Sequence, residues 1–300
     1  MEQIVTKPQI RAFFDEPTNT VSYLVWDPAS MRGVAIDPVL GFDPASGAVD
    51  DESVNELLRA ADELGVAIEW VLETHIHADH LSGAPLIKAR SGARIGIGEH
   101  VRDVQNIFRP IFGAEDVKAD GGDFDRLFGD GEHLEVGGLD IEVIHTPGHT
   151  PACVSYRIGD AVFVGDTLFM PDYGTARTDF PGGCARQLYR SIRKLLALPP
   201  ETRLFMCHDY KAPGRDQFAW ETTVGEERRT NKHVHDGVTE DEFVAMRLER
   251  DKGLATPRLL IPSIQVNMRA GRFPPADKDG VRYLRVPVKL KDGASPQTIC

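Results

Sequence analysis

The stretch Leu72–Ala84, "LETHIHADHLSGA", holds His75, His77, Asp79 and His80 within six residues. A lone histidine in a polar turn is usually solvated or hydrogen-bonded and does nothing more. Three histidines and an aspartate in the order H-x-H-x-D-H are different, because packing has no use for so much imidazole. Imidazole and carboxylate together suit zinc, iron or manganese. The segments on either side predict where the cluster sits. Upstream, Ser53 and Glu56 have the S-x-x-E spacing of a capping box. Leu57, Leu58, Ala61 and Leu64 then recur at helical spacing, and Gly65 supplies a stop. "VAIEWVLET" predicts a short buried strand with the cluster at its C-terminal end. "APLIKARSG" predicts a short helix and "ARIGIGE" another strand. Strand, helix, strand with polar residues at a strand's end is the pattern of layered α/β folds, where ligands bind at the carboxyl ends of strands.

Three more metal-capable residues stand at the ends of later apolar segments: His149 in "HTPGHT", Asp166 in "FVGDTLF" and His208 in "FMCHDY". Each alone reads as a turn or surface residue. Four strand ends that each supply a donor make the bland reading improbable. His100, His133, His145, His233 and His235 lack this placement and read as structural or surface residues. Before the cluster, "TVSYLVWD" and "MRGVAIDPV" predict strands, and from Glu132 to Phe169 the pattern is a strand meander. "ARQLYRSIRKLLAL" is helical, with Leu188, Ile192, Leu195 and Leu196 on one face, and "TRLFMCHD" is again a strand. Beyond about residue 225, "TEDEFVAMRLERDKG" predicts a charged amphipathic helix and "RLLIPSIQVNMRAGRFPP" an apolar, Pro-bounded extended run.

Composition narrows the function. The 300 residues are 41% hydrophobic, enough for a sizeable core, and carry a formal net charge of −12. That charge, without a basic cluster, disfavours a nucleic-acid partner. No apolar run approaches the roughly 20 residues that cross a bilayer, and "MEQIVTKPQIRAFFDE" lacks the features of a signal peptide. A cytoplasmic protein without a membrane partner is expected. Cys153, Cys184, Cys207 and Cys300 show no C-x-x-C spacing and read as reduced thiols. Cys207 abuts His208 in a predicted strand, so its side chain is expected on the opposite face. Cys184, at a helix start, reads as an inert thiol.

The motifs "THIHADH", "TPGHT", "GDTLF" and "CHDY", in this order and spacing, resemble the metallo-β-lactamase superfamily over roughly residues 10–220. The resemblance implies an α/β (α+β) fold, an αββα sandwich of two mixed sheets flanked by helices, with metal held between the sheet edges. It implies a catalytic domain over 1–225. Residues 226–300 then form a C-terminal helix and extended tail that pack on the core or on a second subunit, and the apolar tail favours a homodimer. A narrower resemblance lies in "TLFMPDYGTARTDFPGG", in "DYKAPGRDQFAWETTVGEERRTN" and in the tail. These are similar to persulfide dioxygenases, especially the bacterial β-lactamase-hydrolase-like subgroup, over nearly the whole chain.

That resemblance implies one Fe(II) per chain bound by His75, His149 and Asp166, which act on glutathione persulfide and O2 to give sulfite and glutathione. Two histidines and a carboxylate with open positions form the facial triad of non-haem iron oxygenases. His77, Asp79, His80 and His208 then orient the ligands or hold a second metal. Arg177, Tyr210 and Lys211 are the expected substrate contacts, with Arg177 the best carboxylate anchor because guanidinium binds carboxylate bidentately; Arg215 is weaker. The alternative is a di-zinc hydroxyacylglutathione hydrolase of the glyoxalase II type. There His75, His77 and His149 would hold one metal, Asp79, His80 and His208 the other, and Asp166 would bridge.

Overall fold

Alternation in "TVSYLVW" sets the layers. Val21, Tyr23 and Val25 pack in one buried cluster, while Leu24 faces the other way into a second cluster with Phe13. The computed structural model describes residues 7–288. In chain order the first half runs Gln9–Asp15 (β1), Thr20–Trp26 (β2), Arg32–Ile36 (β3), Val39–Asp43 (β4), Ala48–Asp50 (β5), Glu52–Leu64 (α1), Ala67–Leu72 (β6), Leu81–Ser82 (β7), Ala84–Ser91 (α2), Arg94–Gly98 (β8), Val101–Phe112 (α3) and Arg126–Phe128 (β9). The second half runs His133–Val136 (β10), Leu139–His145 (β11), Val154–Ile158 (β12), Ala161–Phe163 (β13), Ala185–Leu195 (α4), Arg203–Phe205 (β14), Glu221–Thr223 (β15), Val224–Thr230 (α5), Glu240–Asp251 (α6) and Leu260–Asn267 (α7).

Two mixed six-stranded sheets form, in the orders β1-β2-β3-β6-β8-β9 and β10-β11-β12-β13-β14-β15. Between them lie Tyr23, Val25, Val143, Tyr156 and Phe163. Residues of α1, α2, α3 and α7 cover the outer face of the first sheet. Residues of α4, α5 and α6 cover the second. This is the αββα sandwich, and a fully buried aliphatic such as Leu24 or Leu204 costs about 2–5 kcal/mol when cut to alanine. The ends of β6, β11, β13 and β14 all lead into the donor-bearing segments. Two glycines shape those segments. Gly148 has φ 142°, and a Cβ there would meet the backbone of Leu188 at 2.3 Å. Gly165 has φ 52° and abuts Thr74 Oγ1, which a Cβ would meet at 2.7 Å.

Two local expectations are corrected. The S-x-x-E box does not form, because α1 begins at Glu52 and Ser53 Oγ instead donates to Asp15 Oδ1 at 2.8 Å. Gly65 does end α1 in the left-handed conformation. The run "LIPSIQVN" is not extended but is α7. Pro262 falls in its first turn, where a missing N–H has no intrahelical acceptor to lose. Leu259, Ile264 and Val266 are buried within the chain itself, so this run no longer argues for a second subunit. Among the described residues no helix is long and apolar enough to cross a membrane.

Candidate metal centre

His75, His149 and Asp166 bring one donor atom each into a single buried group. His75 follows β6, His149 lies in the loop after β11, and Asp166 sits in a 3-10 turn after β13. His75 Nε2 and His149 Nε2 stand 3.9 and 3.6 Å from Asp166 Oδ2. A small divalent ion with bonds of about 2 Å spans such gaps with little movement. Both rings are held by their other nitrogen: His75 Nδ1 lies 3.0 Å from Thr74 Oγ1, and His149 Nδ1 donates to the Arg177 carbonyl at 2.8 Å. A hydrogen bond of that kind fixes the ring and leaves Nε2 free to ligate. Burial, followed by neighbouring His77 and His149, holds the His75 pKa well below the usual imidazole value, so the ring is neutral and ready to bind.

A second group lies on the other side of Asp166. His77, Asp79, His80 and His208 each offer an atom within 4.8 Å of the rest. His208 Nε2 stands 3.1 Å from Asp79 Oδ2 and 3.3 Å from Asp166 Oδ1, so Asp166 presents one oxygen to each group. The buried atoms His77 Nδ1, Asp79 Oδ2, His80 Nε2, Asp166 Oδ1 and His208 Nε2 have no hydrogen-bond partner. So many orphaned donors and acceptors in one place fit a cation, which would satisfy them together.

His77 is the residue whose placement differs most from the di-zinc arrangement. Its Nε2 lies 2.9 Å from Asp37 Oδ1 and 3.3 Å from Glu73 Oε2, and it groups with Asp79, His80 and His208 instead of with His75 and His149. Burial opposes charge on this ring, but Asp37 and then Glu73 outweigh it and raise its pKa well above the usual value. Asp37 is a residue that sequence reasoning missed. It is buried and accepts from Thr74 N and Thr74 Oγ1 at 2.7 Å each. Asn267 was missed too. From the end of α7 its Nδ2 donates to the carbonyls of His77 and His80 at 2.9 and 2.8 Å, and its Oδ1 accepts from Ser82 N.

Cys207 does not point to the opposite face. Strand β14 ends at Phe205, so its alternation does not carry to Cys207, whose Sγ lies 3.7 Å from Asp37 Oδ2 and groups with Asp166 and His208. Burial, then Asp37 and Asp166, push its thiol pKa well up, which keeps it protonated and unreactive. His145 stays outside both groups: it bonds the Pro151 carbonyl and stacks on His100.

A cavity of about 330 Å³ opens over Asp79, His149 and Asp166. Phe169, Tyr173, Phe180 and Tyr210 are among its walls, and Tyr210 also stacks on His208. Arg177 lines the cavity, but its fork is committed: Nε and Nη2 bind Asp179 at 2.6 and 2.7 Å, and Nη1 donates to the Ala255 carbonyl. Lys211 does not line the cavity; its Nζ lies over the Phe218 ring at 4.0 Å. Arg215 is paired with Asp209 and Asp172. The cations that do face the cavity without an acidic partner, among the described residues, are Arg250 and Arg258. Nothing in their local sequence singles them out, since one lies on a charged helix and the other in a loop.

These strand-end donors and this sandwich have clear relatives. Residues 16–208 match the metallo-β-lactamase superfamily. The chain belongs to that superfamily. It is 53% identical to a probable metallo-hydrolase of Burkholderia pseudomallei, over 93% of this chain and 98% of that protein. It is 30% identical to the mitochondrial persulfide dioxygenase ETHE1 of Homo sapiens, over 87% of this chain and 88% of the relative. The crystal structure of ETHE1 from Myxococcus xanthus superposes with a TM-score of 0.70 at 32% identity, covering 88% of this chain and 100% of that one.

Proposed function

We propose that the chain is an Fe(II)-dependent persulfide dioxygenase, with one iron per chain, that oxidises glutathione persulfide with O2 and water to sulfite and glutathione. The observation that carries this reading is the three-donor group that His75, His149 and Asp166 form by themselves. Two imidazoles and one carboxylate leave positions for substrates and are the donor set of non-haem iron oxygenases. Bound there, Fe(II) would supply the redox chemistry that carries electrons from sulfane sulfur to oxygen. The balance is GSSH + O2 + H2O → GSH + SO3²⁻ + 2H⁺; the outer sulfur loses the four electrons that O2 gains.

The chain's own residues bind and orient. Arg250 and Arg258 offer guanidinium to the two carboxylates of glutathione, replacing Arg177 in that role. Phe169, Tyr173, Phe180 and Tyr210 cover the apolar length of the ligand and exclude water. The Arg177 carbonyl keeps His149 aimed. The same proposal includes a cytoplasmic setting and a metal-bearing body over residues 1–225, clamped by the segment that follows.

The deciding measurement is oxygen uptake and sulfite release by protein loaded with ferrous iron. One O2 consumed per sulfite is expected, and no uptake with glutathione persulfide ends the reading. A second reading, a two-metal thioesterase, is favoured by the orphaned atoms of Asp79, His80 and His208. It requires two metals per chain and cleavage of S-lactoylglutathione.

A further inference from the structure

Residues 176–179 belong to no helix or strand, yet the Arg177 carbonyl among them accepts the His149 Nδ1–H at 2.8 Å. No ladder of backbone bonds within an element fixes that carbonyl, so tertiary contacts must. Two residues of α6 supply them, one on either side of Arg177. Arg247 Nη1 donates to the Thr175 carbonyl at 2.9 Å and to Thr175 Oγ1 at 3.3 Å. Asp251 Oδ2 accepts from Thr178 N at 2.9 Å and from Thr178 Oγ1 at 3.1 Å. The two are also joined to each other. Asp251 Oδ1 accepts from Arg247 Nε at 3.0 Å and lies 2.7 Å from Arg247 Nη2. Both side chains are buried. They stand four residues apart on one helix, a spacing that brings them together before the loop docks.

We propose that Arg247 and Asp251 are positioning residues for the metal ligand His149, acting through the Arg177 carbonyl. A buried ion pair is a weak source of stability, because desolvation offsets its attraction. It is a strong source of direction, since every remaining hydrogen-bonding position of this pair is aimed at Thr175 or Thr178. A partner that fixes the outer nitrogen of a ligating histidine sets the ring's orientation and with it the metal affinity. The inference goes beyond the choice of reaction, because His149 is a ligand in both the iron and the two-metal readings. Its failure would leave either reading standing.

Co(II) is the probe: titration gives its affinity, and its visible bands report ligand geometry. Arg247→Met combined with Asp251→Leu replaces the pair by apolar side chains, an exchange that is often neutral for folding, and removes every tie to Thr175 and Thr178. The Kd for Co(II) is expected to rise about tenfold with altered visible bands. Phe243→Leu loosens the buried face of α6 without touching the loop and is expected to leave both readouts at wild-type values. A folded double variant with wild-type Kd and bands overturns the inference, as does a Phe243→Leu protein that loses Co(II) equally. If the double variant does not fold, Asp251→Asn takes its place, keeping the shape but not the charge. It is expected to raise the Kd on the order of threefold, and an unchanged Kd with unchanged bands overturns the inference.

Discussion

The two donor groups that share Asp166 contain the same residue types and are held in different ways. In the first, His75 and His149 each have a private partner, Thr74 Oγ1 and the Arg177 carbonyl, at 3.0 and 2.8 Å. In the second, His80 Nδ1 and His208 Nδ1 share one hydroxyl, Thr20 Oγ1, at 3.4 and 3.3 Å, and His208 adds the Asn19 carbonyl at 3.2 Å. The first group is therefore aimed before any ion arrives. In the second, His77 is held firmly by Asp37 at 2.9 Å but the rings of His80 and His208 are held at longer distances, and Asp79 stands 3.1 Å from His208 Nε2. Donor identity alone does not make the two groups equal, because the outer hydrogen bonds that fix their rings differ.

Substitutions can break this comparison. The largest effect is expected of Asp166→Ala, which takes an oxygen from each group: metal content and oxygen uptake should both fall by more than about a hundredfold, and retained iron would show that the aspartate is not a ligand. His208→Ala sharpens the contrast. If the second group only supports the first, iron stays near one per chain and oxygen uptake drops about tenfold or less; complete loss together with two metals in the wild type would merge the groups into one centre. Arg250→Ala and Arg258→Ala should each raise the persulfide KM about tenfold with kcat little changed. Arg177→Ala, whose guanidinium is occupied by Asp179 and Ala255, should move KM less, and the reverse order would return the anchor to Arg177.

Asn267→Ala leaves the carbonyls of His77 and His80 without their buried donor. A stability loss of about 1–3 kcal/mol is expected by denaturant titration. The smallest effect is a pH control that belongs to neither group. Burial raises the Glu227 carboxyl to about 8, with Asn231 Nδ2 bonded to it. A folded pKa above the unfolded value means that this group's stabilisation is complete at low pH. It is then lost between about pH 4.5 and about pH 8, at up to about 1.4 kcal/mol per unit. Glu227→Gln should flatten the fall in Tm over that window, and an unchanged slope would refute the assignment.

The C-terminal segment bears on the same contrast. Asn267 at the end of α7 ties down the loop of His77 and His80, while Arg247 and Asp251 of α6 hold the loop that positions His149. Asp251 accepts from Thr178 N at 2.9 Å, and Arg247 donates to the Thr175 carbonyl at 2.9 Å. Neither contact is readable from the tail's sequence. The run around Pro262 reads as extended by its apolar, Pro-bounded composition, yet a proline in a first turn is compatible with a helix. Helix α3 was likewise unread, with Pro110 in its last turn interrupting the pattern.

The sequence by itself determined the donors and the architecture. Histidines and aspartates at four strand ends carry their chemistry wherever they are placed, and apolar periodicity assigns strands and helices from local neighbours alone. Only the tertiary structure decided which donors stand together, that Asp37 bonds His77 Nε2, that Cys207 groups with Asp166 and His208, and that Arg250 and Arg258 face the cavity unpaired while Arg177 is paired and Lys211 lies outside it. Those outcomes depend on distances between residues far apart in the chain. A lone aspartate, asparagine or arginine has no local pattern that marks the partner folding brings to it.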